Sequence, residues 1–398
     1  MDSVDEVLTR GVETIYPSKE ALAKVLRSGK KIRLYQGFDP TGIQLHLGHL
    51  AGLLKLSQFQ KLGHEVIFLI GDGTGQAGDP SGKKRNRENY LSNEKLRENA
   101  RDYVLQASKV VDFKGKNAVK IMYNGDWLNK LSLKETLDIA GHFTLAQLEE
   151  RDMYQERRKE GMDINFREFL YPLLQGYDSV VMKVDLEIGG SDQMFNMLAG
   201  RKLVREMLNK EKFVLTLPLL ADSTGKKIGK TEGNVIALTS KPNELFGMIM
   251  NLPDEVIGKC FEMITNLPIG EVEIIQTELK MSDNPMPHKK KLAYELVRML
   301  NTQKEAKESQ DYFENTFQKK NTPDDIPKAA VVTGEYTIID LINSLGIFKS
   351  KSDIRRLISE GAVDIDGKNI KDISATVTVD KTMTIKLGKH KFVKIIPT

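Results

Sequence analysis

Cysteine is almost missing from this 398-residue chain. Cys260 stands alone, so no intramolecular disulfide can form and no cysteine-built zinc site is available. A reducing compartment, the cytoplasm, is expected. Runs of about 18 apolar residues are absent, so no membrane-spanning helix is expected. The opening stretch MDSVDEVLTRGVETIYPSKE has no basic segment followed by an apolar one, so no signal peptide is expected either. Neither sign of charge dominates. Lys and Arg number 59 against 55 Asp and Glu, and the net of +4 does not by itself mark a nucleic-acid binder. A hydrophobic content of 40% excludes a disordered chain. The distribution of charge says more. Residues 331–398 hold nine Lys and two Arg against eight Asp or Glu, a net of +3 in the last sixth of the chain.

Regular patterns then appear in order. IRLYQGF (32–38) reads as a buried strand entering the turn DPTGIQLHLGH. LAGLLKLSQFQKLG places Leu50, Leu53, Leu54 and Phe59 on one helical face, and Gly63 stops that helix. EVIFLIGD is an apolar run of strand length. Strand, helix, strand is a βαβ unit and implies a parallel sheet. AVKIMYN and KVDLEIGG read as further strands. The expectation is an α/β, Rossmann-like domain over 1–235 with a helical insertion at about 127–170. Helical spacing without strand signals follows over 236–320. A breaker-rich linker is expected at 321–335, and a small α+β module at 336–398.

Two constellations carry chemistry. His46-Leu-Gly-His49 sits where the first strand hands over to its helix. The helix N-terminus offers unpaired N–H groups and partial positive charge, which suits phosphate, and Gly48 permits close approach to the backbone. Alone, two histidines three apart are weak evidence of anything, and no third ligand makes a zinc site. Lys226-Lys227-Ile228-Gly229-Lys230-Thr231 is a loop whose lysines can neutralise a triphosphate. Alone, it is a solvated basic turn. Together they are more specific, because in an open parallel sheet both fall near the carboxyl edge, where ligands bind.

HLGH and KIGKT resemble the two signature motifs of class I aminoacyl-tRNA synthetases. YQGFDPTGIQLHLGHL, GDPSGKKRNR, YPLLQGYDS and GGSDQMFNMLAGR are similar to the bacterial-type tyrosyl-tRNA synthetase family, over nearly the whole chain. The resemblance implies tyrosine–tRNA ligase activity: tyrosine and ATP give an adenylate and pyrophosphate, and tyrosine then passes to the terminal adenosine of tRNA. It assigns Thr41, His46, His49, Lys83, Arg87, Lys227 and Lys230 to catalysis on the phosphates. Lys83 to Arg87 match the family's mobile loop. Tyr35 and Asp178 are expected at the substrate hydroxyl. Asp79, Tyr171 and Gln175 are expected at the α-amino group, with Gln193 nearby. Gly37, Asp39, Gly48, Gly190, Asp192 and Lys230 are expected around ATP or adenylate. Tyr171, Gln175 and Asp178 are spaced i, i+4, i+7, so one helix face presents all three.

ATP is expected to arrive with Mg²⁺, with no tightly bound cofactor. A homodimer joined through the insertion is implied. The tail resembles the S-four-type RNA-binding domain, with Lys349, Lys351, Arg355 and Arg356 as expected phosphate contacts for tRNA. A tryptophan-specific relative is the nearest alternative. Tyr35, Asp178 and the C-terminal module argue against it, and intact signatures argue against a non-catalytic RNA-binding protein.

Overall fold

The computed structural model describes residues 2–42, 44–79, 91–225, 227–228, 230–231, 234–281, 284–318, 327–348, 350–388 and 391–398. The chain divides into two compact units, Met1–Gln310 and Asp311–Thr398. In the first unit, six strands form one sheet. They are β1 (Thr14–Tyr16), β2 (Arg33–Phe38), β3 (Glu65–Ile70), β4 (Lys120–Tyr123), β5 (Leu186–Gly190) and β6 (Phe213–Leu217). Their spatial order is β1-β6-β5-β2-β3-β4. Neighbouring pairs from β6 to β4 run parallel, and β1 adds an antiparallel edge. β3 and β6 are nearly all buried, as strands covered on both faces must be.

The Leu47–Lys61 helix joins β2 to β3. Leu50, Leu53, Leu54 and Phe59 are buried, but so are Ala51, Gly52, Lys55, Leu56 and Ser57. One apolar face was expected; the helix is covered all round, because the Ile257–Ile264 helix packs on it as well as the sheet. The expected insertion is present as short helices, including Leu133–Ala140, Leu145–Glu149 and Asp152–Lys159. They lead into the long Phe166–Val181 helix, which crosses Met194–Leu208. Gly176 and Gly200 make that close crossing possible: a Cβ on Gly176 would lie 3.0 Å from the Gly200 backbone N.

The helices after residue 241 do not stand apart from the α/β fold. Arg10 donates to Leu267 O (2.6 Å), Thr265 O (2.7 Å) and Glu262 O (2.9 Å). Buried Lys55 in turn donates to Val7 O and Arg10 O, each at 2.8 Å. The segments read separately as 1–235 and 236–320 therefore share one unit up to Gln310. Cys260 is buried there, and burial pushes its thiol up to about 12.

A two-stranded hairpin, β7 (Lys230–Thr231) and β8 (Asn234–Val235), follows β6. The second unit contains β9 (Lys328–Val331), β10 (Gly334–Thr337), β11 (Val363–Ile365), β12 (Lys368–Ile370), β13 (Thr376–Val379), β14 (Met383–Leu387) and β15 (Lys391–Pro397). The order β12-β11-β14-β15-β9 makes a five-stranded sheet, and β10 pairs with β13. This corrects the later part of the linker expected at 321–335, whose residues 321–326 lie outside the described residues. From Lys328 the chain is a strand, hydrogen-bonded in parallel to β15. Alternation in KAAV is too short and too alanine-rich to announce it. Ile338, Ile342, Ile354, Ile358 and Ile385 close the small core.

Candidate active site

β2 leads away to β3 on one side, and β5 leads to β6 on the other. Their carboxyl ends therefore flank the crevice where an open α/β sheet binds its ligand. A cavity of about 590 Å³ lies there. Tyr35, Gly37, Asp39, Thr41, His46, Gly48, His49, Asp79, Tyr171, Gln175, Asp178, Gly190, Asp192, Gln193 and Lys227 all line it. Lys83, Arg87 and Lys349 lie outside the described residues, as does the side chain of Lys230, whose backbone is in β7.

The first signature pairs with the segment that follows the second. His46 forms an antiparallel bridge with Ala237, and Ala221 forms one with Lys227. Leu47 N donates to Ile236 O (2.9 Å), and Leu238 N donates to Leu45 O (3.0 Å). His46 caps the Leu47–Lys61 helix. Its Nδ1 accepts from Gly48 N (3.2 Å), while His49 Nδ1 accepts from His46 N (3.0 Å). With both Nδ1 atoms accepting, Nε2 is the N–H donor of each neutral ring. The ring centroids are 3.9 Å apart, so two donors share one helix N-terminus. Lys227 Nζ bonds Asp192 Oδ2 at 2.8 Å. This half-exposed pair can exchange for a phosphate.

The polar floor comes from the Phe166–Val181 helix. Asp178 accepts from Trp127 Nε1 (2.8 Å) and Asn124 Nδ2 (2.9 Å). Burial pushes its carboxyl well above the ordinary range, and these two donors oppose that shift. Tyr171 Oη donates to Asp39 Oδ2 (2.8 Å), and Thr74 Oγ1 donates to Asp39 Oδ1 (2.7 Å). A Cβ on Gly71 would stand 1.9 Å from Asp39 Oδ1, so only glycine leaves that carboxylate its place. Gln193 Nε2 donates to Asp79 Oδ2 (3.0 Å). Gln175 Nε2 donates to Glu187 Oε1 (3.0 Å), and Gln175 Oε1 accepts from Asn196 (2.9 Å). That arrangement fixes the amide with its oxygen as an acceptor. Burial, reinforced by Glu187 and Asp178, pushes the Tyr35 phenol well above its ordinary value.

Several of these residues were not singled out from the sequence. Glu187 and Lys212 form a fully buried ion pair. Burial lowers Lys212 from the ordinary lysine range, and Glu187 opposes that shift. Ser179, Asn124, Thr74 and Trp127 complete the networks. A signal was available for two: Glu187 is the one charge within LEIGG, and Lys212 directly precedes the apolar FVLTL, and strands buried on both faces rarely carry unpaired charge. In the second unit, Lys351 Nζ pairs with Asp340 Oδ1 (2.7 Å) and Arg356 with Asp353 (3.6 Å). Arg355 is exposed on the same helix.

Residues 27–318 match the family model of class I tRNA synthetases (W and Y), and residues 318–395 match the tyrosine–tRNA ligase SYY-like C-terminal domain. The tyrosine–tRNA ligase of Thermotoga maritima is 40% identical over 392 residues, covering 98% of this chain and 96% of the relative. That of Aquifex aeolicus is 38% identical over 379 residues, covering 95% of each. Among solved structures, a C-terminally truncated mitochondrial tyrosyl-tRNA synthetase from Aspergillus nidulans superposes with a TM-score of 0.67 at 25% identity, over 79% of this chain and 94% of that one. The Archaeoglobus fulgidus enzyme complexed with L-tyrosine shares the fold, with a TM-score of 0.61 at 23% identity, over 78% of this chain and 100% of that one. The chain belongs to the class I tRNA synthetases, in the tyrosine–tRNA ligase family, whose members activate tyrosine with ATP and then load it onto tRNA.

Proposed function

We propose that the cavity between β2 and β5 binds tyrosine and ATP with the roles assigned from the motifs. The hydroxyl of tyrosine meets Tyr35 and Asp178. Its ammonium group meets Asp79, the Gln175 amide oxygen and the lone pairs of Tyr171 Oη, whose own proton goes to Asp39, with Gln193 held against Asp79. ATP enters as its Mg²⁺ complex. His46 and His49 donate to its phosphates, and Lys227 and Lys230 neutralise them. Thr41, Lys83 and Arg87 act on the departing pyrophosphate. Gly37, Gly48, Asp39, Gly190 and Asp192 surround the nucleoside.

The carboxylate of tyrosine is already ionised at neutral pH, and Mg²⁺-pyrophosphate leaves without protonation. No general base is needed. Positioning and charge stabilisation do the chemistry. The observation that supports this reading is the His46–Ala237 bridge, which joins the helix N-terminus of the first signature to the segment just after β8. Tyrosine-dependent ATP–pyrophosphate exchange tests it. Exchange driven equally by tryptophan, or by no amino acid, overturns it.

The second unit is read as a tRNA-binding module using Lys349, Lys351, Arg355 and Arg356. The homodimer reading is supported by the insertion, where Leu133 (76%), Leu137 (61%), Leu145 (58%) and Phe166 (71%) are exposed. Sedimentation of a Leu133→Asp/Leu137→Asp variant, expected to be monomeric, tests it. A cytoplasmic location follows from tRNA charging as the proposed role. Among the described residues, no helix is long and apolar enough to cross a membrane.

A further inference from the structure

Behind Tyr35 lies a buried chain of polar groups that the catalytic reading does not use. Lys212 Nζ has three N–H bonds, and an ammonium accepts nothing. They meet Glu187 Oε2, Ser179 Oγ (2.7 Å) and Met197 O (3.3 Å). All three of its donors are therefore assigned. Ser179 Oγ, with a lone pair committed to Lys212, keeps one proton and one lone pair. Tyr35 Oη stands 2.9 Å from it, and Glu187 Oε2 stands 3.5 Å away, at the outer limit of a hydrogen bond. The nearer acceptor takes the proton. Tyr35 Oη then accepts from Ser179, and since the Glu187 carboxylate, also within the phenol's reach, is already held by Lys212 and Gln175, the Tyr35 proton is left for the cavity it lines.

On the opposite side Asp178 is fixed as an acceptor by Asn124 and Trp127. A phenolic hydroxyl held by both residues donates to Asp178 and accepts from Tyr35. We propose that Lys212 and Ser179, anchored by Glu187, are positioning residues that orient the Tyr35 hydroxyl as a donor and so add to selection of tyrosine over phenylalanine. The inference rests on the placement of the substrate hydroxyl at Tyr35 and Asp178. The layout of the fold agrees with a built device. Lys212, Glu187, Ser179 and Tyr35 are all buried. A Cβ on Gly200 would fall 2.6 Å from Lys212 Nζ and 3.0 Å from Ser179 Oγ, so the helix crossing leaves the lysine its channel.

The test measures kcat/KM in pyrophosphate exchange for tyrosine and for phenylalanine, each as sole amino acid. The ratio is independent of how much enzyme is folded, so a merely structural loss does not move it. Ser179→Ala is expected to lower the tyrosine-to-phenylalanine ratio about tenfold, and to lower it no further in a Tyr35→Phe background. If Ser179→Ala yields no soluble protein, Ser179→Cys, whose thiol is a poor donor, is expected to shift the ratio in the same direction. A ratio unchanged by the Ser179 variant while Tyr35→Phe lowers it overturns the relay and leaves the substrate placement standing. A ratio unchanged by Tyr35→Phe overturns the placement itself, and the relay with it. Additive effects of the two substitutions also overturn the relay.

Discussion

Replacing Asp178 by alanine separates stability from selection in one experiment. The carboxylate accepts two N–H donors, from Asn124 and Trp127, and sits at 1% exposure. Its removal leaves two donors without partners, at ~1–3 kcal/mol each, so a stability loss of roughly 2–6 kcal/mol is expected. The substrate hydroxyl loses a charged acceptor as well. A hydrogen bond to a charged group contributes about 1.5–3 kcal/mol, which is roughly a 10- to 150-fold loss in kcat/KM for tyrosine. Phenylalanine has no hydroxyl to lose. A lower folded fraction reduces both amino acids equally, so the tyrosine-to-phenylalanine ratio isolates the recognition effect. Pyrophosphate exchange supplies the ratio, and urea unfolding followed by Trp127, the single tryptophan, supplies the stability. A variant that is destabilised as expected but activates the two amino acids in the wild-type ratio would refute Asp178 as the hydroxyl acceptor.

Lys55 makes a pH prediction. Desolvation, reinforced by the Arg10 charge, pulls its ammonium down to about 7, against about 10.4 in an unfolded chain. Between those values the unfolded chain holds the proton and the folded chain releases it. Stability of the first unit should therefore rise as pH climbs from 7 towards 10, by roughly 4–5 kcal/mol at full extent. Urea titrations of Lys55→Met should lack that rise, and parallel slopes for both proteins would contradict it. Lys227→Ala and Lys230→Ala should slow adenylate formation far more than they weaken tyrosine binding, since the proposed function sets their charge against the phosphates. Single-turnover kinetics reads both quantities, and a loss confined to tyrosine affinity contradicts the assignment. Truncation after Gln318, ahead of the β9 strand, should leave pyrophosphate exchange nearly intact, impair charging at limiting tRNA and flatten the salt dependence of tRNA binding. Unimpaired charging would remove the second unit from tRNA recognition.

What could be read in advance was local. β2, β3 and the helix between them declare themselves through apolar runs and a glycine stop, and they carry the first signature to the carboxyl edge of the sheet. The i, i+4, i+7 spacing put Tyr171, Gln175 and Asp178 on one face, and all three line the cavity. The second signature, 181 positions from the first, acquires meaning only when β8 is followed into the His46–Ala237 bridge. Partners were hidden for the same reason. Nothing near Asp178 in the chain hints at Asn124, and nothing near Tyr35 hints at Lys212, because a hydrogen bond spanning 54 positions has no local pattern.

The Leu47–Lys61 helix shows the limit of periodicity in another way. Its sequence suggests an exposed side, yet Lys55 and Ser57 are buried there. Lys55 is tolerated because two backbone carbonyls of the N-terminal segment receive its ammonium. A buried lysine on the outer face of this helix is thus a mark of what covers it. The same logic applies to Lys212 beside β6, where a charge in an apolar setting signals a partner, Glu187, on the neighbouring strand. In this protein Lys55 leads to the N-terminal segment that covers its helix, and Lys212 leads to Glu187 behind the cavity.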